Sequence, residues 1–173
     1  SFSPNDTTPV GVAVRGTEIV VADFETQSVL VLDRFTGELK GSVGVAGGGD
    51  GGFIRPLGIE SNASGDIFVT DVIQGTLQRF DSDGELVYRV GQIADSAGNF
   101  VRPKHLAVDE EGVIYVVDAA FQNVQMFDDE GTVLMFFGSP GPHPGAMSLP
   151  AGITITSDNL DLFEEYVHPA FDA

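Results

Sequence analysis

The stretch from Pro103 to Leu149 reads PKHLAVDEEGVIYVVDAAFQNVQMFDDEGTVLMFFGSPGPHPGAMSL. It is one copy of a unit that occurs three times in full and opens a fourth time. Its opening prolines, Pro9, Pro56, Pro103 and Pro150, stand 47 residues apart at every step. Gly44, Gly91 and Gly138 keep that spacing, as do Gly51, Gly98 and Gly145, and Phe53, Phe100 and Met147. A fixed period of this length marks a repeat architecture, in which each unit buries its apolar face only against its neighbours.

Each copy reads as four strands. The first follows the proline: VGVAV (10–14), LGIES (57–61) and KHLAV (104–108). The second is a run of β-branched and aromatic residues, EIVVAD (18–23), DIFVTD (66–71) and VIYVVD (113–118), whose composition implies burial on both faces. The third is SVLVLD (28–33), TLQRFD (76–81) and NVQMFD (123–128); each ends in Asp before a glycine turn. The fourth, ELKGSVG (38–44), ELVYRVG (85–91) and TVLMFFG (132–138), alternates more polar residues and is expected on the solvent side. Four antiparallel strands per unit at this period describe a propeller blade. The first blade is one residue short before Asp23 and regains it before Gly37, both in turns, where length drifts freely. The fold expected is all-β. An arm spans 1–8, followed by blades at 9–55, 56–102 and 103–149. A fourth blade starts over 150–173. In that last stretch DNLDLFEEYVHP (158–169) places Leu160, Phe163 and Val167 on one stripe and predicts a short helix ended by Pro169.

The chain has no tryptophan, so the Trp-Asp signature of one propeller class is absent. The pattern Pro-x-G-I, turn, I-Y-V-x-D, V-Q-x-F-D-x-x-G, F-G, G-x-F-x-x-P instead resembles the NHL repeat. The third copy carries it best, in LAVDEEGVIYVVD (106–118) and NVQMFDDEG (123–131). The resemblance covers 9–155. It implies a disc with a central channel and loops on two faces, commonly of six blades, so about three and a half blades form a sector of a ring. The remaining blades are expected from a longer polypeptide, with closure by a second copy as the alternative. Many NHL repeats place an arginine just before the third-strand apolar residue. Here Ser28, Thr76 and Asn123 stand there, which counts against the RNA-binding members.

Composition narrows function by exclusion. Acids number 26 against 8 bases, a formal net charge of −18, which disfavours nucleic acid and anionic membranes. The chain contains no cysteine, which removes disulfides, thiol nucleophiles, thiolate zinc sites and covalent haem attachment. No apolar run is long enough to span a bilayer. The opening SFSPND fits a processed N-terminus, and an extracellular or periplasmic bacterial protein is expected.

Candidate sites are few. Arg55 and Arg102 precede the blade prolines at matching positions and could hold an anionic group at the channel rim; an ion pair with a nearby Asp is the competing expectation. His105 replaces the glycine found at 11, 58 and 152. Peptide-amidating lyases with similar propellers place zinc-binding histidines near this position, but zinc wants three convergent ligands and His143 and His168 lie elsewhere in the chain, so no metal is expected. Asp23, Asp71 and Asp118 close the second strand of each copy and are expected to accept N–H groups of the next turn rather than ring a cation. DSDG (81–84) and DDEG (128–131) are read as hairpin turns, not calcium loops, and GGGDGG (47–52) lacks the Lys-Ser/Thr of a phosphate loop. NDT (5–7) and NAS (62–64) match the glycosylation triplet, which matters only in a secreted eukaryotic protein.

These observations lead to a non-catalytic binding or interaction module that holds no cofactor and uses Arg55, Arg102 and His105 at the channel rim. Its expected partner is a protein, with a multihaem cytochrome or another extracellular assembly as candidates through similarity to bacterial NHL proteins. Two alternatives are a metal-dependent lyase or hydrolase with its site at the channel mouth, and a structural decoration of a cytochrome-containing filament.

Overall fold

Each β-branched second-strand run becomes an inner member of a four-stranded antiparallel sheet in the computed structural model, which describes residues 6–156. The first sheet is β1 (Pro9–Arg15), β2 (Glu18–Asp23), β3 (Ser28–Asp33) and β4 (Leu39–Val43). Short strands β5 (Val45–Ala46) and β6 (Gly52–Phe53) pair in parallel within the crossover. The second sheet is β7 (Pro56–Ser61), β8 (Ile67–Asp71), β9 (Thr76–Phe80) and β10 (Leu86–Val90). The third is β11 (Pro103–Val108), β12 (Ile114–Asp118), β13 (Asn123–Phe127) and β14 (Val133–Phe137). All three run in simple chain order across the sheet.

The four-strand reading of each copy therefore holds within a residue or two. Two local expectations do not. Residues 151–156 form no strand. In every complete sheet the first strand pairs only with the second strand of its own copy, and no such partner stands against AGITIT among the described residues. The outer strand β14 is also not polar: Leu134, Met135, Phe136 and Phe137 are all exposed. Each outer strand has only one in-sheet neighbour, and in VLMFF that freedom is filled with apolar side chains. The helix expected over 158–169 lies outside the described residues.

The sheets stack face to face. Ala13, Val20, Ala22, Val29, Val31 and Val43 of the first sheet bury against Phe53, Ile59, Ile67, Val69 and Phe80. Phe68 and Leu77 face the other way, into Phe100, Leu106, Ile114, Val116 and Phe127. Successive residues of β8 thus feed opposite cores, as alternation along a strand requires. The Phe of each Phe-x-x-Pro lead-in packs, tilted, against the Phe that ends the third strand: Phe53 against Phe80 at 5.7 Å and Phe100 against Phe127 at 5.6 Å between ring centroids.

The innermost strands approach too closely for a side chain. A Cβ on Gly11 would overlap the carbonyl oxygen of Leu57, and one on Gly58 would overlap that of Lys104 while standing 3.0 Å from the Cα of His105. Thr70 relays hydrogen bonds across the second of these seams. Its hydroxyl accepts the Gly58 N–H at 3.0 Å and donates to the Lys104 carbonyl at 2.6 Å.

At the other end of that seam the Arg79 guanidinium lies over the rings of Phe68 (5.5 Å) and Tyr88 (6.0 Å) and pairs with Asp66 at 2.6 Å. It also donates to the Asp129 carbonyl of the third sheet. Burial pushes the Tyr88 phenol up to about 12; Arg79 opposes this, and Asp128 and Asp129 reinforce it. An unfolded tyrosine ionises near 10. The folded pKa is raised, so the folded chain holds the proton longer. Its contribution to stability is complete below about pH 10 and is lost as pH rises toward 12. Ultraviolet titration should show a late-ionising tyrosine that disappears in Tyr88→Phe, and that variant should lose less stability than wild type over the same range.

Candidate functional site

The chain reverses at one end of the sheets through two kinds of segment, and one aspartate per blade ties them together. Asp71 is fully buried. Its Oδ1 accepts the N–H groups of Ile73 and Gln74 in the turn after β8, both at 2.9 Å. Its Oδ2 accepts those of Ile54 and Arg55, at 2.7 and 2.8 Å, in the lead-in to β7. Asp118 repeats the arrangement with Ala120 and Phe121 on one side and Val101 and Arg102 on the other. Asp23 does so with Thr26 and Thr8. These aspartates bind backbone, as their recurrence predicted, and they reach further than the adjoining turn.

This bracing fixes the backbone from which Arg55 and Arg102 project. The two arginines are brought together at one cavity of about 390 Å³ between the second and third blades, with Lys104 as a third cation. Leu57, Val72, Ile73 and Val101 supply its apolar wall, and among the described residues no carboxylate lines it. The Arg55 guanidinium sits 5.2 Å from the centre of the Phe24 ring, within cation–π range. Among the described residues the ion pairs involve Arg15, Lys40 and Arg79, not Arg55, Arg102 or Lys104. Among the described residues the ion pair expected for Arg55 or Arg102 with a nearby Asp is therefore not formed, and Asp71 and Asp118 are engaged by backbone N–H donors instead.

His105 does not share this cavity. It is half-buried on β11, whose pairing with β12 slips between Pro103 and Leu106. Its counterpart Gly58 faces the following blade. Among the described residues no three His, Asp or Glu side chains group closely enough to hold a metal ion.

The opposite end of the sheets is acidic. Asp81 accepts the N–H groups of Asp83 and Glu85, and Asp128 those of Glu130 and Thr132, so DSDG and DDEG are hairpin turns. In the first blade Asp33 holds the N–H groups of Phe35 and Thr36, and these bonds, with that of Thr36 the stronger, bring its carboxyl down to about 2.

Sequence reasoning missed Lys104, whose place is taken by Leu57 one copy earlier, and it missed Gln78 and Gln125. The Gln78 amide accepts the Gly51 N–H and donates to the Gly52 carbonyl, both at 2.8 Å; Gln125 does the same with Gly98 and Asn99 at 2.9 and 2.7 Å. The matched spacing of the two glutamines was the available signal.

No family model matches the chain, and no curated protein matches it in sequence. Solved structures do match in shape. Hydrazine synthase of Kuenenia stuttgartiensis superposes with a TM-score of 0.67 at 13% identity, over 87% of this chain and 39% of that one. An inactive H270A virginiamycin B lyase from Staphylococcus aureus gives 0.67 at 14% identity, over 91% and 49%. The chain is a β-propeller. An auxiliary nutrient binding protein from Bacteroides thetaiotaomicron gives 0.65 at 15%, over 86% and 43%. The propeller described here has three complete blades, and the chain spans less than half the length of these neighbours. At such identities the likeness concerns fold alone. No helix among the described residues is long and apolar enough to cross a membrane.

Proposed function

We propose that this propeller is a non-catalytic interaction module of NHL type in an extracellular or periplasmic protein. Its recognition face is the end of the blades that carries Arg55 and Arg102, and its partner is a protein of an extracellular assembly. The observation that carries the reading is the bracing by Asp71 and Asp118. It holds two adjacent loops rigid while their side chains project outward, which lowers the entropy lost on docking. One neighbour of this shape is named an auxiliary nutrient binding protein, which supports a binding reading.

Cross-linking of the full-length protein within the extracellular fraction of its cells should yield cross-links to partners from residues 54–57, 72–74 and 101–104. Arg102→Glu should reduce their yield about tenfold, the effect of losing one charge-assisted contact and gaining one repulsion. Cross-links concentrated instead on 62–65, 109–112 and 128–131, and indifferent to Arg102→Glu, would refute the choice of face.

A further inference from the structure

We propose that the cavity between Arg55, Arg102 and Lys104 is a binding site for a small organic oxyanion, a molecule with a carboxylate or phosphate group on a compact apolar body. The proposal deepens the interaction reading above and rests on it for the choice of face.

The charge distribution is the first argument. The chain has 8 basic residues among 26 acidic ones. Cations spread over such a surface to balance it would each stand by a carboxylate, as Arg15 does with Glu18 and Arg79 with Asp66. Three of the eight instead converge on one cavity that no carboxylate lines among the described residues. Like charges held together without a counter-charge repel one another, and an anion set between them relieves that cost.

Geometry is the second. Arginine presents a planar fork of donors that matches the two oxygens of a carboxylate or phosphate, and lysine adds a point charge. Arg55 lies within cation–π range of Phe24, and the backbone N–H groups of Arg55 and Arg102 are anchored on Asp71 and Asp118. Lys104 is half-buried on β11, and its carbonyl is fixed by Thr70. The cations therefore project from backbone that is ordered before a ligand arrives.

The third argument is the rest of the lining. Leu57, Val72, Ile73 and Val101 give the cavity an apolar wall beside the cations. At about 390 Å³ it falls within the range of small-molecule sites. A bare inorganic ion would leave that wall uncovered, so an organic body is the better fit.

The test is isothermal titration of the full-length protein with four probes: succinate, glucose 6-phosphate, inorganic phosphate, and neutral glucose as control. Saturable binding of succinate or glucose 6-phosphate is expected, tighter than inorganic phosphate, with none for glucose. Arg102→Gln and Lys104→Gln should each weaken it about tenfold, with unchanged melting temperature showing that the fold is intact. Binding that survives the Arg55→Gln, Arg102→Gln, Lys104→Gln triple variant, or no binding of any anion, would overturn the proposal. Cross-links at 54–57 and 101–104 without anion binding would sink this inference and leave the interaction reading standing.

Discussion

Asp71→Ala is expected to lower the unfolding free energy by about 3–5 kcal/mol. Four backbone N–H groups lose their acceptor at once: those of Ile54 and Arg55 before β7, and of Ile73 and Gln74 after β8. Each donor left without a partner in a partly buried loop costs about 1–3 kcal/mol, and relaxation toward water recovers some of it. Asp71→Asn should recover little, because its amide has one accepting oxygen where the carboxylate has two. Asp81→Ala is the control. Asp81 also accepts two N–H groups, but its hairpin is open to solvent, which replaces the lost acceptor. Urea denaturation of the full-length variants measures the difference. Equal losses at Asp71 and Asp81 would show that the carboxylate joining two loops matters no more than an ordinary turn cap.

Gly58→Ala is expected to cost about 3 kcal/mol, at the upper end of overpacking effects. The added methyl group would overlap the Lys104 carbonyl and approach the Thr70 hydroxyl to 2.9 Å, and neither neighbour is the free end of a flexible side chain. The cost arises from the seam between two blades and not from backbone strain, since Gly58 is not among the residues with positive φ. Gly41→Ala separates the two causes. Nothing stands within 4 Å of a Cβ there, so that change should be close to neutral. Chemical denaturation of both variants checks the pair, and a neutral Gly58→Ala would mean that the inner strands separate at little cost.

The fold was legible because the repeat states it three times. The spacing of Pro9, Pro56 and Pro103 set the blade borders, and the runs ending at Asp23, Asp71 and Asp118 set the second strands. The candidate site was legible only in part. Arg55 and Arg102 stood out by occupying matched positions, and they do share a cavity. Lys104 was hidden because only one copy carries it, so periodicity assigned it no role. His105 stood out for the opposite reason, as a break in a row of glycines, yet it does not line the cavity that the arginines share. The reach of Asp71 into the preceding loop was beyond a local reading: the bonds to Ile54 and Arg55 span 17 and 16 residues. The apolar outer strand Val133–Phe137 departs from the polar pattern of its counterpart LKGSV (39–43), and periodicity averaged that difference away.

The bare backbone at 11 and 58 also decides how evenly the wheel can close. At these two gaps neighbouring spokes stand at the distance only a hydrogen-sized side chain permits. His105 occupies the same place on the third spoke. A strand laid beside the third spoke at this point would meet the imidazole-bearing carbon where the first two gaps hold only hydrogen.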